Sequence, residues 1–130
     1  MKRPAICTLA TLSALALLAS LAPTLAAEEQ GDAGLVSYNN ACRTCHSFKP
    51  DDNRLGPTLH GIVGRKAGSI EGFAFSPSMK ASGITWDEAN LDKFISDPNA
   101  VVSGNKMQPY GGIADAGERK KIVDYLKTLK

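Results

Sequence analysis

The chain has 130 residues, with 15 Lys and Arg against 13 Asp and Glu, a formal excess of +2. Lys2 and Arg3 supply that whole excess, and every acidic residue lies at Glu28 or later. Beyond the first 26 residues the chain is therefore near neutral, which removes the usual electrostatic motive for nucleic-acid binding, and its length fits a single domain.

Lys2 and Arg3 precede an apolar, Ala- and Leu-rich run from Ala5 to Leu25, closed by Thr24-Leu25-Ala26 ahead of Glu28-Glu29. A positive start, an apolar middle and a small-residue end form the layout of a secretory signal peptide, so residues 1–26 are read as a leader cleaved near Ala26 or Ala27. Residues 27–130 are then the mature domain, delivered to the periplasm. An uncleaved anchor is the weaker alternative: about 20 apolar residues could span a bilayer, but Thr8, Thr11, Ser13, Ser20 and Pro23 interrupt the run. Cys7 precedes the apolar core and goes with the leader.

Asp32 to about Thr44 reads as the first helix, with Leu35, Tyr38 and Ala41 or Cys42 on one face. Residues 47–76 are rich in Gly, Pro, Asp and Asn without a sustained period, which predicts ordered loop. Ser76-Pro77 fits the N-cap and first position of a very short helix ended by Gly83. Thr85 and Glu88 suggest a capping box ahead of a helix carrying Leu91, Phe94 and Ile95, which Pro98 stops. Asn99 to Ile113 is read as loop again. A last helix begins near Asp115 and places Ile122, Tyr125, Leu126 and Leu129 on one stripe. Its cluster Arg119-Lys120-Lys121, interleaved with Glu118 and Asp124, reads as a solvated face. The sum is an all-α domain with three main helices and long loops, and so much loop needs something internal to hold it.

Cys42-Arg43-Thr44-Cys45-His46 is the decisive stretch. C-x-x-C-H is the signature of covalent c-type haem attachment: two thiols one turn apart match the two vinyl groups, and the next imidazole reaches the iron. A zinc site would need four ligands, and beyond the two cysteines only His46 and His60 remain. A redox dithiol would sit on a strand–helix framework that is missing here; a plain Cys42–Cys45 disulfide is the blandest alternative. For the second axial position the candidates are Met107, Met79 and His60. Met107 lies in a glycine- and proline-bounded loop, whereas Met79 suits core filling.

From Gly34 to Leu126 the chain resembles the class I c-type cytochromes, in the style of mitochondrial cytochrome c and bacterial cytochrome c2. The resemblance rests on Cys42–His46, Gly56-Pro57-Thr58-Leu59-His60-Gly61, Gly64-Arg65-Lys66, Gly83-Ile84-Thr85-Trp86, Lys106-Met107 and Tyr125-Leu126-Lys127, in the family's order. It implies a small cytochrome c fold wrapped around one covalent haem c, with its iron held by His46 and Met107. It further implies that the Pro57 carbonyl accepts the imidazole N–H, that Arg65 and Trp86 hold the haem propionates, and that Gly34 and Tyr125 meet where the first and last helices cross.

By the same resemblance the chain is a monomeric electron-transfer protein rather than an enzyme. Its partners would be membrane or periplasmic redox complexes of a respiratory or photosynthetic chain: a quinol-oxidising cytochrome complex, a terminal oxidase, a reaction centre or a dehydrogenase. Two departures stand out. Phe75 and Phe94 occupy places where a tyrosine is common, and the lysines that ring the haem edge in the mitochondrial protein are thinned to Lys49, Arg54, Lys80 and Lys106.

Overall fold

A computed structural model describes residues 22–130, with side chains from Asp32 onward. The first 21 positions of the expected leader lie outside the described residues. Among those described there are five helices: α1 (Ala22–Ala41), α2 (Pro77–Ala81), α3 (Glu88–Ser96), α4 (Pro98–Val101) and α5 (Ala116–Thr128). They contain no strand, and the nearest approach to a sheet is one isolated antiparallel bridge between Lys66 and Thr85. No helix among the described residues is long and apolar enough to cross a membrane.

The first helix starts earlier and stops sooner than its sequence pattern suggests. No proline lies between Thr24 and Ala41, so none breaks the helix there. At the other end the Tyr38 carbonyl accepts from both Cys42 N–H (2.8 Å) and Arg43 N–H (3.2 Å), and the second, wider bond loosens the last turn where α1 ends at Ala41.

The Ser76 hydroxyl accepts from Met79 N–H and caps α2, as expected. The cap of α3 is displaced from its expected place. Asp87, not Thr85, is the N-cap, and its carboxylate accepts Asn90 N–H (2.8 Å) while the Asn90 side-chain oxygen accepts Asp87 N–H (2.9 Å). Thr85 is unavailable because its backbone is extended in the bridge to Lys66, flanked by Trp86 N–H to Arg65 O (2.9 Å) and Ala67 N–H to Ile84 O (2.8 Å). Pro98 does end α3, but it also opens α4, a four-residue turn in a segment expected to be loop; Asp97 caps it by accepting from Asn99 and Ala100 N–H.

The core forms where α1, α3 and α5 converge. Tyr38, Leu91, Phe94, Ile95, Ile122 and Leu126 are buried there, each aliphatic side chain contributing about 1.5–3 kcal/mol. The crossing of α1 and α5 is close because Gly34 has no side chain: a Cβ there would stand 2.8 Å from both the Lys121 carbonyl and Tyr125 Cβ. Tyr38 then packs edge-on against Phe48 and tilted against Tyr125. These contacts fix the end of α1, and with it the cysteine turn.

Candidate functional site

The cysteines occupy the turn that follows α1. Cys45 N–H (3.1 Å) and His46 N–H (2.9 Å) both donate to the Cys42 carbonyl, so one more turn of chain carries the two thiols and the imidazole. Both thiols are free and partly buried. Burial pushes the Cys42 thiol up to about 11, the opposite of the lowered thiol that a redox dithiol needs. Among the described residues no cluster of three or more His, Cys, Asp or Glu side chains is placed to hold a metal ion.

His46 is buried, and its ring lies against a gap that only glycine can leave: a Cβ on Gly56 would stand 2.6 Å from His46 Nδ1. That Nδ1 lies 2.7 Å from the Pro57 carbonyl oxygen. A carbonyl can only accept, so Nδ1 carries the proton and Nε2 keeps its lone pair. Burial, the larger effect, lowers the imidazole's pKa; the Pro57 bond works in the opposite sense.

The loop bearing Pro57 is held by Thr58, which is 5% exposed. Its hydroxyl donates to the Lys49 carbonyl (2.6 Å) and accepts His60 N–H (3.1 Å), while Thr58 N–H donates to Asn53 Oδ1 (3.0 Å). Arg65 closes the arrangement, donating from Nη2 to the Thr58 carbonyl (2.7 Å) and from Nη1 to the His60 carbonyl (2.9 Å). Burial lowers the Arg65 pKa. Trp86 is buried edge-on to Phe94, with ring centroids 5.0 Å apart. The thioether of Met107 is partly buried, in a loop hung between α4 and α5.

This site fits a covalently held porphyrin. Its thiols are not joined to each other, its imidazole has one nitrogen committed and the other open, and a soft thioether is available. Leu59, Phe75, Ile84 and Tyr110 are partly buried and pack on the core.

The family model described as cytochrome c oxidase, cbb3-type, subunit III matches residues 29–126. Cytochrome c2 iso-2 of Magnetospirillum molischianum is 47% identical over 89 residues, covering 68% of this chain and 91% of the relative. Cytochrome c2 of Blastochloris viridis is 40% identical over 114 residues, 87% of each chain. The solved structure of cytochrome cH from Methylobacterium extorquens superposes with a TM-score of 0.69 at 43% identity, covering 75% of this chain and 97% of that one.

The chain belongs to the class I c-type cytochromes. This cytochrome therefore carries one covalently bound haem c and is an electron carrier rather than an enzyme, and its helices form the small all-α cytochrome c fold. Three residues that shape the site escaped sequence reasoning as individuals. Gly56 and Thr58 entered only as part of a motif, and Thr58 gave no signal of its own because its partners Lys49, Asn53, His60 and Arg65 lie on both sides of it in the loops. Asn105, two residues before Met107, did carry one: asparagine in that position favours an Asx turn, and its side-chain oxygen accepts Met107 N–H at 2.9 Å.

Proposed function

We infer that this cytochrome is a periplasmic single-electron shuttle whose haem is bound through Cys42 and Cys45 and whose iron is ligated by His46 Nε2 and Met107 Sδ. The observation that carries the reading is the His46 Nδ1–Pro57 bond, because it leaves Nε2 as the one ring nitrogen free to ligate. The haem supplies a one-electron iron couple; the protein's part is to hold it still and to tune it. Pro57 fixes the ring orientation and strengthens the imidazole as a donor. Arg65, whose Nε makes no hydrogen bond among the described residues, and the Trp86 indole would hold the propionates.

Residues 1–26 would act as the export signal, cleaved near Ala26 or Ala27. The mature monomer would move electrons between membrane or periplasmic complexes: a quinol-oxidising cytochrome complex, a terminal oxidase, a reaction centre or a dehydrogenase.

Expression in a host that attaches haem c, followed by mass measurement of the unfolded chain, tests the core of this reading. The expected result is a chain starting near Ala27, heavier by one haem and unreactive toward thiol alkylation. The oxidised protein should also show the weak far-red absorption band of Met–iron ligation, and Met107→Ala should abolish it. A bare chain with two alkylatable thiols would refute the reading.

A further inference from the structure

Met107 is held from two positions upstream by a side chain that is itself tethered on both sides. Asn105 is 6% exposed, and each of its amide groups is engaged. Oδ1 accepts Met107 N–H (2.9 Å), while Nδ2 donates to the Val102 carbonyl (3.0 Å) and to Asn99 Oδ1 (2.9 Å). Val102 is the C-cap of α4, and Asn99 lies in its first turn, where its N–H is held by the Asp97 carboxylate (3.0 Å). A continuous run of hydrogen bonds thus leads from Asp97, at the end of α3, to the Met107 backbone.

Besides the packing of Met107 on the core, Asn105 is what ties this stretch to the helices among the described residues. Among the described residues, the hydrogen bonds joining positions 103–109 to the helices all run through Asn105, whose own N–H also donates to Val102 O (3.2 Å). The next anchors are Tyr110, whose hydroxyl donates to the Ile95 carbonyl (2.8 Å), and Ile113 N–H to the same carbonyl (3.0 Å). Only an amide of this length offers one acceptor and two donors in that geometry; a carboxylate or a hydroxyl cannot.

We propose that Asn105 is the positioning residue for the Met107 thioether, with Asn99 as its outer support, and that this clamp sets how readily the sixth iron position opens to an outside ligand. The proposal rests on Met107 being the axial ligand. Opening that position requires Met107 to swing away, so every hydrogen bond resisting the swing weakens the apparent binding of a competitor.

The test is imidazole titration of the oxidised holoprotein. Asn105→Ala should raise the apparent imidazole affinity by roughly ten-fold or more, and Asn99→Ala by about five-fold, the equivalent of one hydrogen bond. Asn105→Asp keeps the acceptor and loses both donors, so it should fall nearer to Asn105→Ala than to wild type. In a Met107→Ala background, where no native ligand is displaced, the same substitutions should change imidazole affinity by less than about two-fold. A residue that served stability alone would lower the unfolding midpoint and leave this pattern absent. Asn99 is exposed, so Asn99→Ala carries the test even if Asn105→Ala fails to fold. Wild-type affinity in the Asn99 and Asn105 variants, with Met107→Ala binding imidazole far more tightly, would overturn the clamp alone. Wild type binding as tightly as Met107→Ala would overturn the axial role of Met107 and the clamp with it.

Discussion

Gly56 and Thr58 flank the carbonyl on which His46 depends, and each constrains it differently. A methyl group on Gly56 would meet the imidazole ring, 2.6 Å from Nδ1. Gly56→Ala is therefore expected to push the ring off Pro57 and to cost about 3 kcal/mol or more; denaturant unfolding of the holoprotein measures this, and a wild-type midpoint would contradict the close approach. Thr58→Val keeps the shape but leaves the Lys49 carbonyl and His60 N–H without their hydroxyl partner. It should cost about 1–3 kcal/mol, with Thr58→Ser recovering most of the loss in the same titration. The contrast explains what was readable from residues alone. Cys42, Cys45 and His46 announce themselves because their chemistry depends on spacing along one turn. Gly56 acts against the His46 ring and Thr58 through the Lys49 and His60 backbone, so their importance emerges only when the loops are folded, whereas Asn105 acts within its own stretch and left a local sign.

At the scale of elements, caps and apolar stripes located α2, α3 and α5 to within a residue or two, because those signals are local. The cap of α3 moved from Thr85 to Asp87, since the long-range bridge to Lys66 claimed Thr85 first. The crossing of α1 and α5 offers the sharpest check on packing. Gly34→Ala would set a Cβ 2.8 Å from backbone and Cβ atoms that cannot yield alone, so α1 must shift as a body. A loss of about 1–3 kcal/mol is expected. Beside it, Tyr38 is 0% exposed, and its hydroxyl is the one buried side-chain oxygen or nitrogen among the described residues without a hydrogen-bond partner. Burial raises its pKa from 10.0 to about 12, so folding favours the neutral phenol. That contribution is complete below pH 10.0 and is lost as pH climbs toward 12. Tyr38→Phe should stabilise the protein at neutral pH by about 1 kcal/mol, having no hydroxyl to desolvate. Its unfolding free energy should also decline less steeply above pH 10 than that of wild type, and an identical alkaline decline in both would exclude Tyr38 as the titrating group.

For the molecule as a whole, the electrostatics follow from which charges remain and how they are paired. Removing residues 1–26 would remove the entire formal excess. Along α5, Arg119 pairs with Asp92 (2.8 Å), Lys120 with Asp124 (2.6 Å), Lys121 with Glu118 (2.5 Å) and Lys127 with Glu88 (2.8 Å). The basic cluster is thus largely compensated, and Arg119 departs from a purely solvated face: it also donates to the Ile113 and Ala114 carbonyls, tying the end of the Met loop to α5. Lys49, Lys80 and Lys106 form no ion pair among the described residues. Long-range steering requires a concentrated field that salt can screen, and the screening length shortens from about 30 Å at 0.01 M to about 10 Å at 0.1 M. With little net charge to screen, the bimolecular rate of electron transfer from the mature protein to a purified redox partner should fall by less than about three-fold across that range. Stopped-flow measurement of that rate at several salt concentrations decides the matter. A steep, order-of-magnitude decline would mean that Lys49, Lys80 and Lys106 act together as a docking field despite the neutral whole, and that charge placement rather than net charge governs encounter.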